Sequence, residues 1–406
     1  MDRLKAFMRK PAVTGVLASI ISCVLGLLLG FVLLMVFDSH NAVAGFHRLI
    51  TAAFSSPDQF GKLMYTAGPL IVVGLSVGFA FKTGLFNIGA TGQYTIGACC
   101  ALIAGIVFKQ PWWVCMLFSM LGGAFWGIFP GLFKALFNVN EVITSIMFNW
   151  IGLFAVNVVV SNIPQILSNY YGGVISNRTA NLRTVNPSAI IPQAGLDVLF
   201  GSNYYNLSIF LAIALALIVH VILNKTVFGY ELRACGYNKN AGVYAGINAN
   251  RCIILSMVIS GGLAGIAGSI YYLSGTTPQY VIDKLLANMG FNGIPVALLA
   301  SSHPIGTIFS AVFISYVQVG GEALQPEYVK ETIDIIIASI IYLSAFALLM
   351  REMITKVFRE RAEVLVVEEP VIAEPEILVV EDATLTDDED LPDDNPETES
   401  EEADIK

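Results

Sequence analysis

The chain has 406 residues, of which 55% are hydrophobic and 13% charged, with a mean hydropathy of +0.70. Soluble domains carry about 25% charged residues, so a soluble globular protein is excluded and a polytopic membrane protein indicated. The net charge of -9 is local: residues 362–406 hold 18 of the 31 Asp+Glu, which leaves 21 Lys+Arg against 13 acids elsewhere and excludes an acidic partner-seeking surface on the membrane part.

The basic start MDRLKAFMRKP precedes an apolar run from Thr14 to Phe37. That run is too long for a secretory signal and lacks a small-residue cleavage site, so it predicts a retained first helix. Further apolar runs fall near 63–81, 86–108, 111–137, 141–160, 207–224, 252–274, 290–301, 304–320 and 333–350. Ten candidate spans follow, most close to the roughly 20 residues that cross a bilayer. Two of them, 86–108 and 290–301, are studded with Gly, Asn and Pro and predict broken helices that line a cavity. The segment 161–206, rich in Asn, Ser and Pro, predicts an external cap, and carries two glycosylation-type triplets at Asn177 and Asn206.

With the N-terminus inside, the inner segments hold 14 Lys+Arg before the tail and the outer ones 7, which places both ends in the cytoplasm. The tail mixes Val, Ile and Leu with Glu and Pro, then turns almost purely acidic; it cannot bury a core and is expected to be disordered. The expected division is a transmembrane domain over 1–361 and a cytoplasmic acidic tail over 362–406. Phe86-Asn87-Ile88-Gly89 opens the third span and Phe291-Asn292-Gly293-Ile294 the eighth, five spans apart, the spacing that an inverted repeat of opposite orientation requires.

No phosphate-binding GxxxxGK[ST] occurs, no HExxH, GxSxG or paired-carboxylate arrangement sits in a plausible site, and the six cysteines form no CxxC pair. No catalytic residue, metal site or bound cofactor is assigned, and nucleic acid is not an expected partner. The spans are nearly free of ionisable groups, whereas ion-coupled carriers keep buried carboxylates for function. That points to a neutral solute. The spans offer amides instead, Asn87, Gln93, Asn149, Asn157 and Asn292, which must find either a helix partner or a polar ligand. Asn87, Gln93, Asn149 and Asn292 are the candidate substrate-path residues. For each amide, interhelical bonding is the competing reading.

Between spans six and seven, residues 226–248 have the length of two short amphipathic helices with an expected break at Gly236. Leu232, Ala234, Ala241, Tyr244, Ala245 and Ile247 are expected to form an apolar face that docks on another subunit. The stretch Gly229 to Ile247 resembles the cytoplasmic coupling loop of ABC-importer permeases, in the arrangement G-x-x-L-R-A-x-G-x-N-x-x-A-x-x-x-G-I of the branched-chain amino acid and ribose permease superfamily. FNIGATGQYTIGA at 86–98, NEVITSIMFNW at 140–150 and GFNGIPVALLASSHPIG at 290–306 resemble segments of bacterial nucleoside ABC-transporter permeases. The resemblance covers about residues 60 to 350. Thr91 stands where that family often has an acidic residue, and the acidic tail is outside its pattern.

The resemblance implies an all-α permease of about ten transmembrane helices in a bacterial plasma membrane, importing nucleosides by alternating access. It also implies a second permease subunit, related or identical, and two cytoplasmic ATPase subunits that hold the ATP. A periplasmic or lipid-anchored binding protein would deliver the solute from outside. Gly229, Glu231, Leu232, Arg233, Ala234, Gly236, Asn238, Ala241 and Gly246 are the coupling residues it implies. A ribose-type sugar or branched-chain amino acid permease is the nearest alternative. An ion-coupled carrier, with transport that persists without ATPase, stands further off, and a membrane-embedded enzyme lacks any reactive constellation.

Overall fold

The computed structural model describes residues 11–173, 177–276, 278–346, 349–350 and 352–353. The basic head, the expected boundary at 361 and the acidic tail lie outside them. The regular elements are helices: α1 Pro11–Phe37, α2 Ala42–Thr51, α3 Pro57–Lys82, α4 Ala90–Leu102, α5 Trp112–Phe137, α6 Glu141–Asn162, α7 Ser208–Lys225, α8 Val227–Tyr237, α9 Lys239–Tyr244, α10 Ala249–Tyr272, α11 Asn288–Leu299, α12 Pro304–Glu322 and α13 Lys330–Ser344. Each expected span meets a helix, but among the described residues eight helices are long and apolar enough to cross a membrane. The remaining two, α11 with 12 residues and α13 with 15, are shorter than a bilayer crossing.

Helix α3 starts six residues before the apolar run because its first turn is built from cap chemistry. Ser56 accepts a bond from the Gln59 N–H, Pro57 occupies the first turn, and Asp58 sits near the positive end of the helix dipole. Pro69 lies inside the helix, where it removes the N–H that would bond the Tyr65 carbonyl. Helices α3, α4 and α10 are the most buried spans, while α1, α5, α6 and α7 show mostly outward-facing apolar side chains. Helix α10 packs on α5, α4 and α3, and α3 also receives α12, α11 and α7. A second cluster joins α1, α2, α12 and α13 through Leu34, Leu49, Val317, Ile333, Ile336 and Ile340.

Glycine sets the tightest seam. A methyl group at Gly123 would lie 2.3 Å from the Gly261 carbonyl oxygen, at Gly127 2.4 Å from the Met257 oxygen, and at Gly265 2.2 Å from the Ser119 oxygen. Gly97 on α4 closes the same node, since its methyl would sit 2.4 Å from the Gly265 Cα. Two small-xxx-small pairs, Gly123/Gly127 and Gly261/Gly265, thus let α5 and α10 meet backbone to backbone. The Ser119 hydroxyl donates to the Gly265 carbonyl at 2.5 Å across that seam.

The segment 163–207 packs onto the helices where it is described. Ile166, Ala180, Leu182, Ala189 and Ile191 bury in the main core. Isolated antiparallel bridges pair Leu167 with Thr179 and Arg178 with Val281. Asn157, near the C-terminal end of α6, joins this segment: its amide donates to the Asp283 carbonyl, and its Oδ1 accepts from the Tyr280 hydroxyl at 2.9 Å. Asn206 is buried and its Oδ1 accepts from the Ser208 N–H, so it serves the start of α7 rather than offering itself to a glycan.

Candidate translocation path and coupling surface

The chain enters α4 through a non-helical stretch, Phe86 to Gly89, followed by a helix that ends in a π-turn over Ile103–Val107. The expected interruption of this span is therefore real. Gly92 serves close approach: a methyl there would stand 2.9 Å from the Asn149 Cα, and its N–H donates to Asn149 Oδ1 at 2.8 Å. The Asn149 amide donates onward to the Ile88 carbonyl at 3.1 Å, so α6 holds both sides of the unwound entry.

Asn87 and Gln93 come together, as their shared segment suggests, and they bond each other. Asn87 Nδ2 donates to Gln93 Oε1 at 2.8 Å and to the Ser260 hydroxyl at 2.7 Å. Ser260 in turn donates to the Ser76 carbonyl, and the Ser76 hydroxyl donates to the Ser260 carbonyl, each at 2.7 Å. A second hydroxyl pair, Thr83 with Ser256 at 2.7 Å, continues the belt. In this conformation the amides tie α3, α4 and α10 together, each bond adding about 0.6 kcal/mol in a membrane interior. Thr91 and Ser145 are buried beside them with hydroxyls that lack a partner. Gly290 on α11 presses on Thr91, where a methyl would lie 2.4 Å from its Cα, so the two echoed segments meet. Asn292 is half-buried on α11 and makes no side-chain hydrogen bond among the described residues.

Tyrosines missed by the sequence reading lead from this belt toward the N-terminal end of α3, where Tyr204 packs on Gly61. Ring centroids step from Tyr204 to Tyr65 at 5.7 Å, to Tyr271 at 5.8 Å, to Tyr272 at 5.1 Å and to Tyr94 at 6.5 Å. Tyr94 is next in sequence to Gln93. The available signal was the Tyr271-Tyr272 pair ending an otherwise aliphatic and glycine-rich span.

At the opposite end of α3, helices α8 and α9 form the connection between α7 and α10. The break between them is at Asn238, not Gly236. Asn238 has φ -155° and caps α9 through its side chain, which accepts from the Ala241 N–H at 3.0 Å. Gly236 lies inside α8, and the left-handed residue of this loop is Gly246, with φ +82°. Gly236 is needed for contact: a methyl there would be 2.4 Å from the Lys82 carbonyl oxygen, at the turn where Gly84 takes φ +74°.

The apolar face also differs from expectation. Leu232 is buried in the chain's own core with Cys235, and Ala234 is half-buried. Ala241, Tyr244 and Ala245 are exposed as expected, joined by Val227, Tyr230, Tyr237 and Val243; Tyr237 and Tyr244 are 91% and 93% exposed. Their spacing of seven residues carried the signal, of which the expected face included Tyr244 but not Tyr237. Gly229 packs on the end of α7, and the Arg233 Nε folds back to the Gly229 carbonyl at 3.3 Å, with Glu231 half-buried nearby in sequence.

The family described as branched-chain amino acid transport system / permease component matches residues 59–345. The chain belongs to this permease family. The nucleoside ABC transporter permease protein NupB of Lactococcus lactis subsp. cremoris is 33% identical over 347 residues, covering 84% of this chain and 93% of that one. The guanosine ABC transporter permease protein NupP of Bacillus subtilis is 32% identical over 352 residues, covering 85% and 97%. The glucose ABC transporter permease protein TsgB13 of Haloferax volcanii is 27% identical over 282 residues, covering 66% and 70%. No solved structure matches the chain. As a permease of this family it is a multi-pass membrane component of a transport system rather than an enzyme, and ATPase and substrate-binding partners go with it.

Proposed function

We propose that this permease imports nucleosides, powered by ATP hydrolysis on a separate subunit. The observation that carries this reading is the identity, over most of both chains, to permeases named for nucleosides and for guanosine. The interior supports it, because a belt of amides and hydroxyls suits a neutral polar solute better than a charged one. The bias of Lys and Arg supports an orientation with α8 and α9 in the cytoplasm, and Asp58 with the 163–207 cap outside. Closure of the ATPases would push on α8 and α9, and the contact of Gly236 with Lys82 would pass that displacement to α3. A second permease chain, a copy or a relative, would complete the gate.

Radiolabelled uptake in a deletion strain complemented with the gene tests the reading. Guanosine uptake that requires the ATPase is expected; accumulation of ribose or leucine instead would favour the alternative that the glucose permease likeness keeps in view. Uptake that survives loss of the ATPase and collapses with an ion gradient would overturn the ABC mechanism.

Asn87, Gln93, Asn149 and Asn292 are proposed to meet the solute when the belt opens. Asn87→Leu strands the Gln93 carbonyl, at about 1–3 kcal/mol for an unmade buried bond, while the Ser260 hydroxyl keeps its bond to Ser76, so it should lower both Tm and uptake. Asn292→Leu breaks no bond and should lower uptake at unchanged Tm. Thermal unfolding in detergent alongside uptake separates them, and normal uptake by both variants would remove these residues from the path.

Truncation after Arg361 is expected to leave uptake intact, since residues 362–406 are too acidic to bury a core or to approach an anionic leaflet. Loss of uptake at normal membrane levels would assign the tail a working role.

A further inference from the structure

The outer end of α3 opens into a pocket of about 350 Å³ lined by Asp58, Asn181, Arg183, Asn203, Tyr204, Gly275 and Thr276. Its volume falls in the roughly 300–1,000 Å³ range of small-molecule sites. The pocket holds one carboxylate and one guanidinium, and among the described residues these two do not pair with each other. Each is fixed from one side. Asp58 Oδ1 accepts from the Ser202 hydroxyl at 2.6 Å, and Arg183 Nη2 donates to the Gly275 carbonyl at 2.5 Å. Asp58 Oδ2 and the other Arg183 donors remain for a ligand, in a pocket whose charges sum to zero. Tyr204 is both a wall of this pocket and the first ring of the tyrosine series that leads to Tyr94.

We propose that this pocket is an outer capture site of the permease for a ribonucleoside, with Asp58 accepting the ribose diol and Tyr204 stacking the base. This rests on the nucleoside reading above. A carboxylate accepts two hydroxyl donors through charge-assisted bonds, and a base has a flat π-face for which an aromatic ring is the sequence-tolerant partner. Asn181, Arg183 and Thr276 supply donors and acceptors for the base edge. An amino-acid zwitterion also matches a carboxylate and a guanidinium, but it would then meet tyrosines and amides with no charged partner further in. A nucleoside finds rings in sequence: Tyr204, Tyr65, Tyr271, Tyr272 and Tyr94, ending beside the Gln93 amide.

The test is equilibrium binding of radiolabelled guanosine to the purified permease–ATPase complex without the binding protein, with uptake by the complete transporter measured in parallel. Wild-type complex should bind guanosine and prefer it to 2′,3′-dideoxyguanosine. Asp58→Asn should weaken guanosine binding about tenfold and erase that preference, since it removes a charged acceptor. Tyr204→Ala should weaken both nucleosides, and Tyr204→Phe should restore them. Thermal unfolding of each complex confirms that it is folded, and the two tyrosine variants carry the test if Asp58→Asn is not. Wild-type uptake of nucleosides with no binding to this complex, or with variants that bind as wild type does, would overturn the pocket and leave the proposed function standing. Absence of nucleoside uptake by the wild type would overturn both. Variants that lose affinity for the binding protein while keeping guanosine binding and the diol preference would make this a docking surface, which also overturns the proposal.

Discussion

Gly265→Ala is expected to leave little folded protein in the membrane. One added methyl would stand 2.2 Å from the Ser119 carbonyl oxygen and 3.2 Å from the Gly123 Cα, so what it meets is backbone. Backbone cannot change rotamer, and the helices must separate. Separation also loosens the Ser119 hydroxyl bond to Gly265 and the approach of Gly97 from α4. Overpacking typically costs 1–3 kcal/mol, and here about 3 kcal/mol or more is expected, a large share of a total stability of about 5–15 kcal/mol. Gly262→Ala is the matched control. It lies three residues earlier on the same helix, and its methyl would meet the Met120 side chain at 3.4 Å, an ordinary contact. Size-exclusion yield and thermal unfolding in detergent should separate the two. A Gly265→Ala protein that melts with the wild type would show that α5 and α10 do not depend on this approach.

Gly236→Val is expected to abolish substrate-stimulated ATP hydrolysis while the binding protein still docks on the far side. The expectation from sequence was a helix break at Gly236; the structure places Gly236 inside α8 and gives another cause with the same direction. A side chain at 236 would strike the Lys82 carbonyl oxygen and the Thr83 carbonyl carbon, at 2.4 and 2.9 Å for its first carbon alone. To relieve this, α8 must lift from the end of α3, because what the side chain meets is the backbone of Lys82, Thr83 and Gly84. The exposed tyrosines would then be presented at a changed angle to the ATPase. Arg233→Ala is the contrasting variant. Its guanidinium folds back onto Gly229, and a rim ion pair is worth about 0–1 kcal/mol, so assembly should weaken only slightly. Measuring ATP hydrolysed per solute imported decides the matter. A Gly236→Val complex with the wild-type ratio would show that the push does not pass through this contact.

The spans were legible because a run of apolar residues is a one-dimensional property. The first turn of α3 was not, since Ser56, Pro57 and Asp58 are polar and act through capping geometry. The unwinding before α4 could be read from its glycines and asparagine, and Asn87 with Gln93 from their shared segment. Their mutual bonding could not, because Ser76 and Ser260, which complete it, lie 184 residues apart in the chain. Gly236 shows the same limit. Its importance was visible in the motif, but only the fold brings Lys82 against it. The roles of Gly123, Gly127, Gly261 and Gly265 are relational in the same way: each is an unremarkable small residue until its partner helix is known.

Helix α3 begins at the outer pocket with Asp58 and ends on the coupling helix at Lys82. Thermodynamic linkage gives that two-ended placement a quantitative consequence. Whatever factor a filled outer pocket imposes on the affinity of the ATPases for nucleotide, nucleotide must impose the same factor on the affinity of the pocket. A tenfold effect is about 1.4 kcal/mol in both directions. Where that factor differs from one, a compound found by its grip on the pocket is also a ligand of the nucleotide cycle, and its strength as an inhibitor then depends on how much ATP the cell contains.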